Sequence, residues 1–439
     1  MRGSLPDDSD GGLARAHARG LLNALGVAGD PQPLGHHPAL AWRCAGLMEV
    51  TGRADGPGLV APVALTAAAD GALAALRAIA PAARLPTNGA SLLGERARLL
   101  GLSRGGRVSA NGSCRLIAAQ GGGFALNLAR ADDWDLVPAL LGGEAADWPA
   151  IERLAAAQSR DALVAQGRLL GLAIAADEAL DAPAAPFVVE RFGPGRAISD
   201  TPLVVDLSAL WAGPLAGSLL AAAGARVVKV ESLNRPDGAR GGDARFFDLM
   251  NAGKSSVAFD FGDAGGRARL RALVAAADIV IEGSRPRALA HLGIEAAAIA
   301  GAGATWVSIT AYGRAGDAAD LVGFGDDAAV AGGLSAAMAR RWGEPLFAGD
   351  AIADPLTGIT AALAAWAGWR RGGGRLISVA LAPTVAHALR LFEADAEAVR
   401  HWQALAQTDD RALYPLRAPM APARALGADN QELDALIRA

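Results

Sequence analysis

The chain has 439 residues but only two cysteines, Cys44 and Cys114, far apart and without a CxxC spacing. A disulfide scaffold and a zinc site are both disfavoured, and a reducing compartment fits. Tyrosine is scarce too, with two in the whole chain, and charge of neither sign dominates: the net charge is −4. No basic face is implied, so nucleic acid is not an expected partner. The longest apolar runs, such as Gly217–Gly224, fall far short of a membrane span. The opening MRGSLPDDSDGG is acidic where a secretory leader needs a basic patch and an apolar run. A cytoplasmic protein is expected. There is no GxGxxG, no GxxxxGKS and no HExxH. None of His17, His36, His37, His291, His387 and His401 sits beside a Ser or Cys in a nucleophile elbow. Dinucleotide, P-loop, metalloprotease and Ser-His-Asp chemistry therefore lack sequence support.

What is present is an alternation of short apolar strands and helices from Leu203 onward. Strands are expected at Val204–Leu207, Val227–Val230, Val257–Phe259, Ile279–Glu282, Trp306–Thr310 and Leu376–Val379. Helices are expected at Pro214–Ala223, Gly265–Ala276, Arg287–Leu292 and Asp354–Arg371. Almost wholly apolar strands between helices imply an α/β fold: a Rossmann-like open parallel sheet with helices on both faces. A smaller α+β domain should precede it, with strands at Val108–Ser109, Ser113–Ala118 and Phe124–Leu128 joined by glycine turns. The expected division is a flexible segment 1–38, a smaller domain 39–195 and a large domain 196–439. Ala182–Gly195, rich in Pro and Gly, is the expected boundary.

In such sheets a ligand binds past the carboxyl ends of the strands. Ser208–Gly213, Glu231–Arg245 and Glu282–Arg287 would gather there. Lys254, Arg240, Arg245, Arg285 and Arg287 lie in expected loops at that edge, either as solvated surface or as a phosphate site. Asp354 precedes Pro355, which places it at the start of a helix. It is either a plain helix cap or a carboxylate set to attack an acyl carbonyl beside free helix amides. An internal echo also stands out. Cys44–Leu76 aligns without a gap on Ala331–Leu363, which puts Asp354 opposite Ala67. One copy would have kept the carboxylate and the other lost it.

These residues resemble the class III CoA-transferases, the group of carnitine/bile-acid and formyl-CoA transferases. Val205-Asp206-Leu207-Ser208, Ala212-Gly213-Pro214 and Val228-Lys229-Val230-Glu231 are similar to the family's opening strand–helix–strand. Asn251-Ala252-Gly253-Lys254, Ala277–Glu282 with Arg285-Pro286, Ser308–Gly313 and Asp354–Gly358 resemble its later motifs, in order. Gly46–Leu76 and Gly94–Trp134 resemble segments that follow the sheet in the family and precede it here. The chain thus resembles a rearranged or half-duplicated member.

The resemblance implies transfer of CoA from an acyl-CoA to a carboxylic acid, with Asp354 as nucleophile through an aspartyl anhydride and an aspartyl-CoA thioester. It implies CoA contacts at Ala209, Leu210, Trp211, Ala212, Glu231, Lys254, Gly283, Ser284, Arg285, His291 and Thr310. CoA and its esters would be substrates, with no permanent cofactor, no metal and no membrane partner. A homodimer is implied, its interlocking left open by the rearrangement. Three alternatives remain: an acyl-CoA racemase or isomerase, a non-catalytic CoA-binding subunit, and a nucleotide-binding oxidoreductase, which the missing dinucleotide fingerprint counts against. The first is disfavoured because Gly323–Asp327 has no His before its Asp.

Overall fold

The computed structural model describes residues 2–3, 11–80, 84–419 and 421–438. Its strands are β1 (Arg2–Gly3), β2 (Cys114–Ala119), β3 (Gly122–Asn127), β4 (Ala173–Ala176), β5 (Phe187–Arg191), β6 (Leu203–Leu207), β7 (Arg226–Ser232), β8 (Ser255–Phe259), β9 (Ile279–Glu282), β10 (Thr305–Thr310), β11 (Arg375–Ala380) and β12 (Glu393–Ala394). Seven of them form one sheet in the order β5-β11-β10-β9-β6-β7-β8. Every pairing in it is parallel except β5 on β11. Strands β2, β3 and β4 form a separate antiparallel sheet. The α/β class and the parallel sheet with helices around it are as expected.

All six expected parallel strands are present, because each is a run of β-branched and apolar residues buried on both faces. Their spatial order reverses between β6 and β9. The chain runs outward from β6 to β8 on one side and from β9 to β11 on the other. A crevice opens at such a reversal, past the carboxyl ends of the two central strands.

Strand β5 was not expected, since it lies inside the Pro-rich boundary. Four of its five residues face outward from the protein body. Its alternation is therefore masked, as an edge strand with Glu190 and Arg191 tolerates. Within the N-terminal segment 1–38, Leu13–Leu25 also reads as a helix, and the structure has one at Gly12–Leu25, with Ala14, Ala18, Leu21, Leu22 and Leu25 buried on one side. The amphipathic spacing of those residues is what docks it.

The helix Ala353–Arg370 runs through the centre of the molecule, and nearly every side chain on it is buried. A helix apolar all round is a core element. It packs against Ala212–Ala222, which follows β6, and against Leu65–Ile79 from the N-terminal half. Trp366 Nε1 donates to the carbonyl of Ile79 at 3.2 Å. The C-terminal segment then ties both halves together. Arg417 makes a bidentate pair with buried Glu95, at 2.6 and 2.9 Å. Asn430 brackets the backbone of Ala258 at 2.8 and 2.9 Å.

Candidate active site

Asp354 lies in the first turn of Ala353–Arg370 and is not its cap. The helix begins one residue earlier than expected, and no side chain caps it. Pro355 is tolerated there because first-turn amides have no intrahelical acceptor to lose. The turn before the helix is strained. Ala351 has φ 41, and its N–H is held by Asp326 Oδ1 at 2.8 Å. Leu210, in the loop after β6, has φ 68, with its N–H held by Asp237 Oδ1 at 3.0 Å. Among the described residues these are the two non-glycine positions with positive φ. Such backbone persists only where surrounding contacts impose it, and it clusters at functional sites.

Four carboxylates share this neighbourhood. Asp350, fully buried, is held by Arg96 through Nε at 2.7 Å and Nη2 at 2.5 Å. Asp326 accepts from Asn111 Nδ2 at 3.0 Å as well as from Ala351. Asp327 accepts from Asn127 Nδ2 and from the Phe324 amide, each at 2.9 Å. Asp354 differs: among the described residues its carboxylate receives no hydrogen bond, and it is half-buried rather than buried. Its oxygen sits so close over Gly325 that a Cβ there would clash with it. Burial raises the Asp354 carboxyl to about 7; Arg96 opposes this, and Asp326, Asp327 and Asp350 add to it. Burial also raises Asp326 to about 6, with Asp350 adding, and Asp327 to about 7.

Arg96 links this acidic turn to the crevice. Its guanidinium lies 4.6 Å from the Trp211 ring centroid and 5.8 Å from that of Phe246. Trp211 is buried and stands edge-on to Phe246 at 5.4 Å. It ends the loop after β6 and leads into Ala212, where that strand's helix begins. The Asp354 turn and the β6 loop are thus joined through one arginine from the N-terminal half.

The other expected CoA contacts divide into two groups. Ala209, Leu210, Gly283, Arg285 and His291 are exposed, and Ser284 and Thr310 are half-buried. All but His291 lie at or just past the carboxyl ends of β6, β9 and β10, and His291 ends the short helix Pro286–Ala290 that follows β9. The Arg285 side chain has no ion pair among the described residues, whereas Arg240, Arg245 and Arg287 pair with Glu231, Asp243 and Asp320.

The second group is turned inward. Lys254 donates to Asp206 Oδ2 and the Pro214 carbonyl, each at 2.8 Å, and to Asn251 Oδ1 at 3.1 Å. An ammonium has three protons, so this arrangement leaves Lys254 none for a phosphate. Glu231 is occupied by Arg240, at 2.6 and 2.9 Å, and by the Asp237 amide at 2.9 Å. Both were placed in the crevice because loops after strands end there. Their side chains point back beneath the loop.

The sequence reading did not single out Arg96, Asp326, Asp327 or Asp350 as site residues. Arg314 was also passed over; it is half-buried near Glu282, and its Nε is buried without a partner. The run Gly325-Asp326-Asp327 carried a usable signal, two adjacent acids opening an otherwise apolar helix. Among the described residues, no group of His, Cys, Asp or Glu could hold a metal ion, and no helix is long and apolar enough to cross a membrane.

Residues 202–418 match the profile described as CoA-transferase family III. The chain is 32% identical to a succinate–glutarate CoA-transferase of Agrobacterium fabrum over 197 residues, which are 40% of this chain and 49% of that one. It is 28% identical to a formyl-CoA:oxalate CoA-transferase of Afipia carboxidovorans over 45% of this chain and 50% of that one. It is 29% identical to the human succinyl-CoA:glutarate CoA-transferase over 38% and 40%. The chain thus spans about half the length of the curated relatives it matches. Among solved structures, a hypothetical protein of Mycobacterium tuberculosis aligns at TM-score 0.39 with 28% identity, over 44% of this chain and 57% of that one. A CAIB/BAIF family protein of Brucella suis aligns at TM-score 0.38 with 27% identity, over 50% and 60%. The sequence matches point one way: residues 202–418 of this chain are similar to CoA-transferase family III.

Proposed function

We propose that the protein moves CoA from an acyl-CoA donor to a carboxylic acid acceptor, with Asp354 as the nucleophile. The observation that carries this is the open Asp354 carboxylate, unbonded among three neighbours that are each hydrogen-bonded. The relatives are named as CoA-transferases acting on succinate, glutarate, formyl-CoA and oxalate, which supports the reaction class.

Asp354 attacks the donor thioester carbonyl, and the C–S bond breaks to release CoA thiolate. The product is an acyl-aspartyl anhydride. The thiolate attacks the aspartyl carbonyl, which frees the donor acid and leaves an aspartyl-CoA thioester. The acceptor carboxylate attacks that thioester and expels the thiolate again. The thiolate then takes the acceptor's acyl group from the second anhydride, and the Asp354 carboxylate is restored. Each step exchanges one activated carbonyl for another, so the intermediates stay close in energy. A carboxyl raised to about 7 is a more basic nucleophile than an ordinary aspartate, at the cost of being only partly ionised at neutral pH.

CoA lies, in this reading, across the β6 and β9 loops. Ala209, Leu210, Gly283, Ser284 and His291 line it and Arg285 meets a phosphate. Trp211 and Ala212 form its floor and Thr310 its far edge. Glu231 and Lys254 hold the loops from beneath. CoA serves as substrate with no resident cofactor, and the setting is a cytoplasmic homodimer. Mixing the protein with an acyl-CoA and hydroxylamine tests the reading. Peptide mass spectrometry should find the hydroxamate at Asp354. Turnover with no adduct at Asp354 would remove it as the nucleophile.

A further inference from the structure

The register that pairs Cys44–Leu76 with Ala331–Leu363 persists in three dimensions. Helix Pro38–Cys44 falls end for end on Gly325–Ala331. Gly46 and Gly333, both left-handed at φ 77 and 95, introduce the next helical turn in each copy. Gly71 and Gly358 mark the same close crossing. A Cβ on Gly71 would lie 2.5 Å from the Ala14 carbonyl oxygen, and one on Gly358 would lie 2.6 Å from that of Ala212.

This contact extends the match beyond what the sequence alone suggested. With Ala14 on Ala212, Leu21-Leu22 falls on Leu219-Leu220 and Gly26 falls on Gly224, both glycines again left-handed. A further contact has changed sides. In one copy Gly94 rests on the Ala45 carbonyl, and in the other Val385 rests on Gly332, the counterpart of Ala45. Helix Ala90–Leu100 therefore stands in its copy where Leu381–Leu389 stands in the other.

The four carboxylates can then be compared with their counterparts. Asp326, Asp327, Asp350 and Asp354 fall on Ala39, Leu40, Val63 and Ala67. All four counterparts are buried and apolar. The same helices pack in the same way with no acid at any of these four positions, and the one buried acid of Leu65–Ile79, Asp70, instead accepts from the Ala90 amide at 2.8 Å, so the fold does not require the four carboxylates. The copy that lost its acids nonetheless supplies Arg96, which holds Asp350, stacks on Trp211 and acts on Asp354.

We infer that residues 12–100 are a degenerate internal copy of the catalytic half, its acidic centre turned to core, and that its Arg96 now serves the intact centre as the positioning residue for Asp354. The inference rests on Asp354 being the reacting carboxylate. The groups facing Asp354 are Asp326 and Asp327 from Gly325–Ala331, Asp350 from the preceding turn, and Arg96. Asn111 bonds Asp326, and Asn127 and Tyr312 bond Asp327. Arg96 is the one cation in that set, so it sets how many of the acids can ionise together. A CoA site per chain, not two, follows from the loss at Ala67.

The test uses the full chain and needs no turnover. Wild type, Arg96→Lys, Arg96→Met and Asp350→Asn are treated with a water-soluble carbodiimide and an amine across pH 4–9, and label at Asp354 is read by peptide mass spectrometry. Labelling follows the protonated carboxyl, so its midpoint reports Asp354. Arg96→Met should raise the midpoint by about one pH unit, and Arg96→Lys should restore it. Asp350→Asn, which removes one acid and leaves the arginine, should lower it by a similar amount. Opposite shifts are the signature, because a merely structural pair would move neither. If Arg96→Met does not fold, the downward shift in Asp350→Asn still decides. Unchanged midpoints in both, or no label at Asp354 in any protein, would overturn the inference. A wild type that titrates as described but yields no hydroxamate would instead overturn the transferase reading alone.

Discussion

Two buried charge clusters in this molecule are built in opposite ways. Beneath the β6 and β7 loops, Lys229 and Lys254 meet Asp206 and Asp237. Lys229 donates to Asp237 and to the Ser208 carbonyl at 2.7 and 2.6 Å. Burial pushes Asp206 up, but Lys254 and Lys229 outweigh it and hold its carboxyl below the ordinary range. Charges balance there. Around Asp354, four carboxylates share one guanidinium, and burial and mutual repulsion push three of them up. A balanced, fully bonded cluster holds a loop in place. An unbalanced one costs stability, and a fold keeps that cost where chemistry needs it.

The largest effect should come from the unbalanced side. Asp354→Ala should lower acyl-CoA-dependent transfer by about 10⁴-fold or more, to background, with the protein still folded. Product formation by mass spectrometry, alongside a thermal melt, checks both halves. Lys254→Met should do the reverse. It leaves Asp206 buried without its cation, which costs about 3–5 kcal/mol of stability. Denaturant unfolding measures this. A melt unchanged by Lys254→Met would end the distinction between the two clusters.

The parallel sheet was legible because a strand buried on both faces must be apolar along its length, and Val204, Val205, Val228, Val257, Ile279 and Ile281 make it so. Asp354 was legible as a helix-start acid next to proline, but its surroundings were not. Arg96 comes from a helix more than two hundred residues earlier, and the packing of Leu65–Ile79 and of its own helix, Ala90–Leu100, on Ala353–Arg370 brings it near. Lys254 and Glu231, expected at the ligand, turn inward for a related reason. Position after a strand locates a side chain at the crevice edge but does not say whether it faces ligand or core. Asp206 and Arg240, the partners that turn them inward, lie far off in sequence in one case and nearby in the other.

Arg285 offers a middle-sized test. Unlike Lys254 it is exposed and has no ion pair among the described residues. Arg285→Ala should raise KM for acyl-CoA about tenfold with little change in kcat or melting temperature, since it removes binding made equally in ground and transition states. An equal rise for Lys254→Met at constant stability would mean that the inward cluster also reads the ligand.

The smallest effect carries the sharpest sign. Asp354 has a folded-state carboxyl near 7 against 3.8 for a free one, so the folded protein binds the extra proton between those values. Stability then falls as pH rises through that window, the reverse of the usual salt-bridged aspartate. Asp354→Asn removes the ionisation while keeping the shape. It should melt higher than wild type at pH 8, by about 1–2 kcal/mol once the shift is discounted for the carboxylate's partial exposure. The gap should close toward pH 4, where wild type is already protonated. Transfer by wild type should change in the opposite sense and decline as pH drops below about 7, where the nucleophile is lost. The two profiles cross because one ionisation both strains the fold and, in the proposed mechanism, supplies the nucleophile. A variant no more stable than wild type at pH 8 would mean that the acidic cluster is as well accommodated as the lysine cluster.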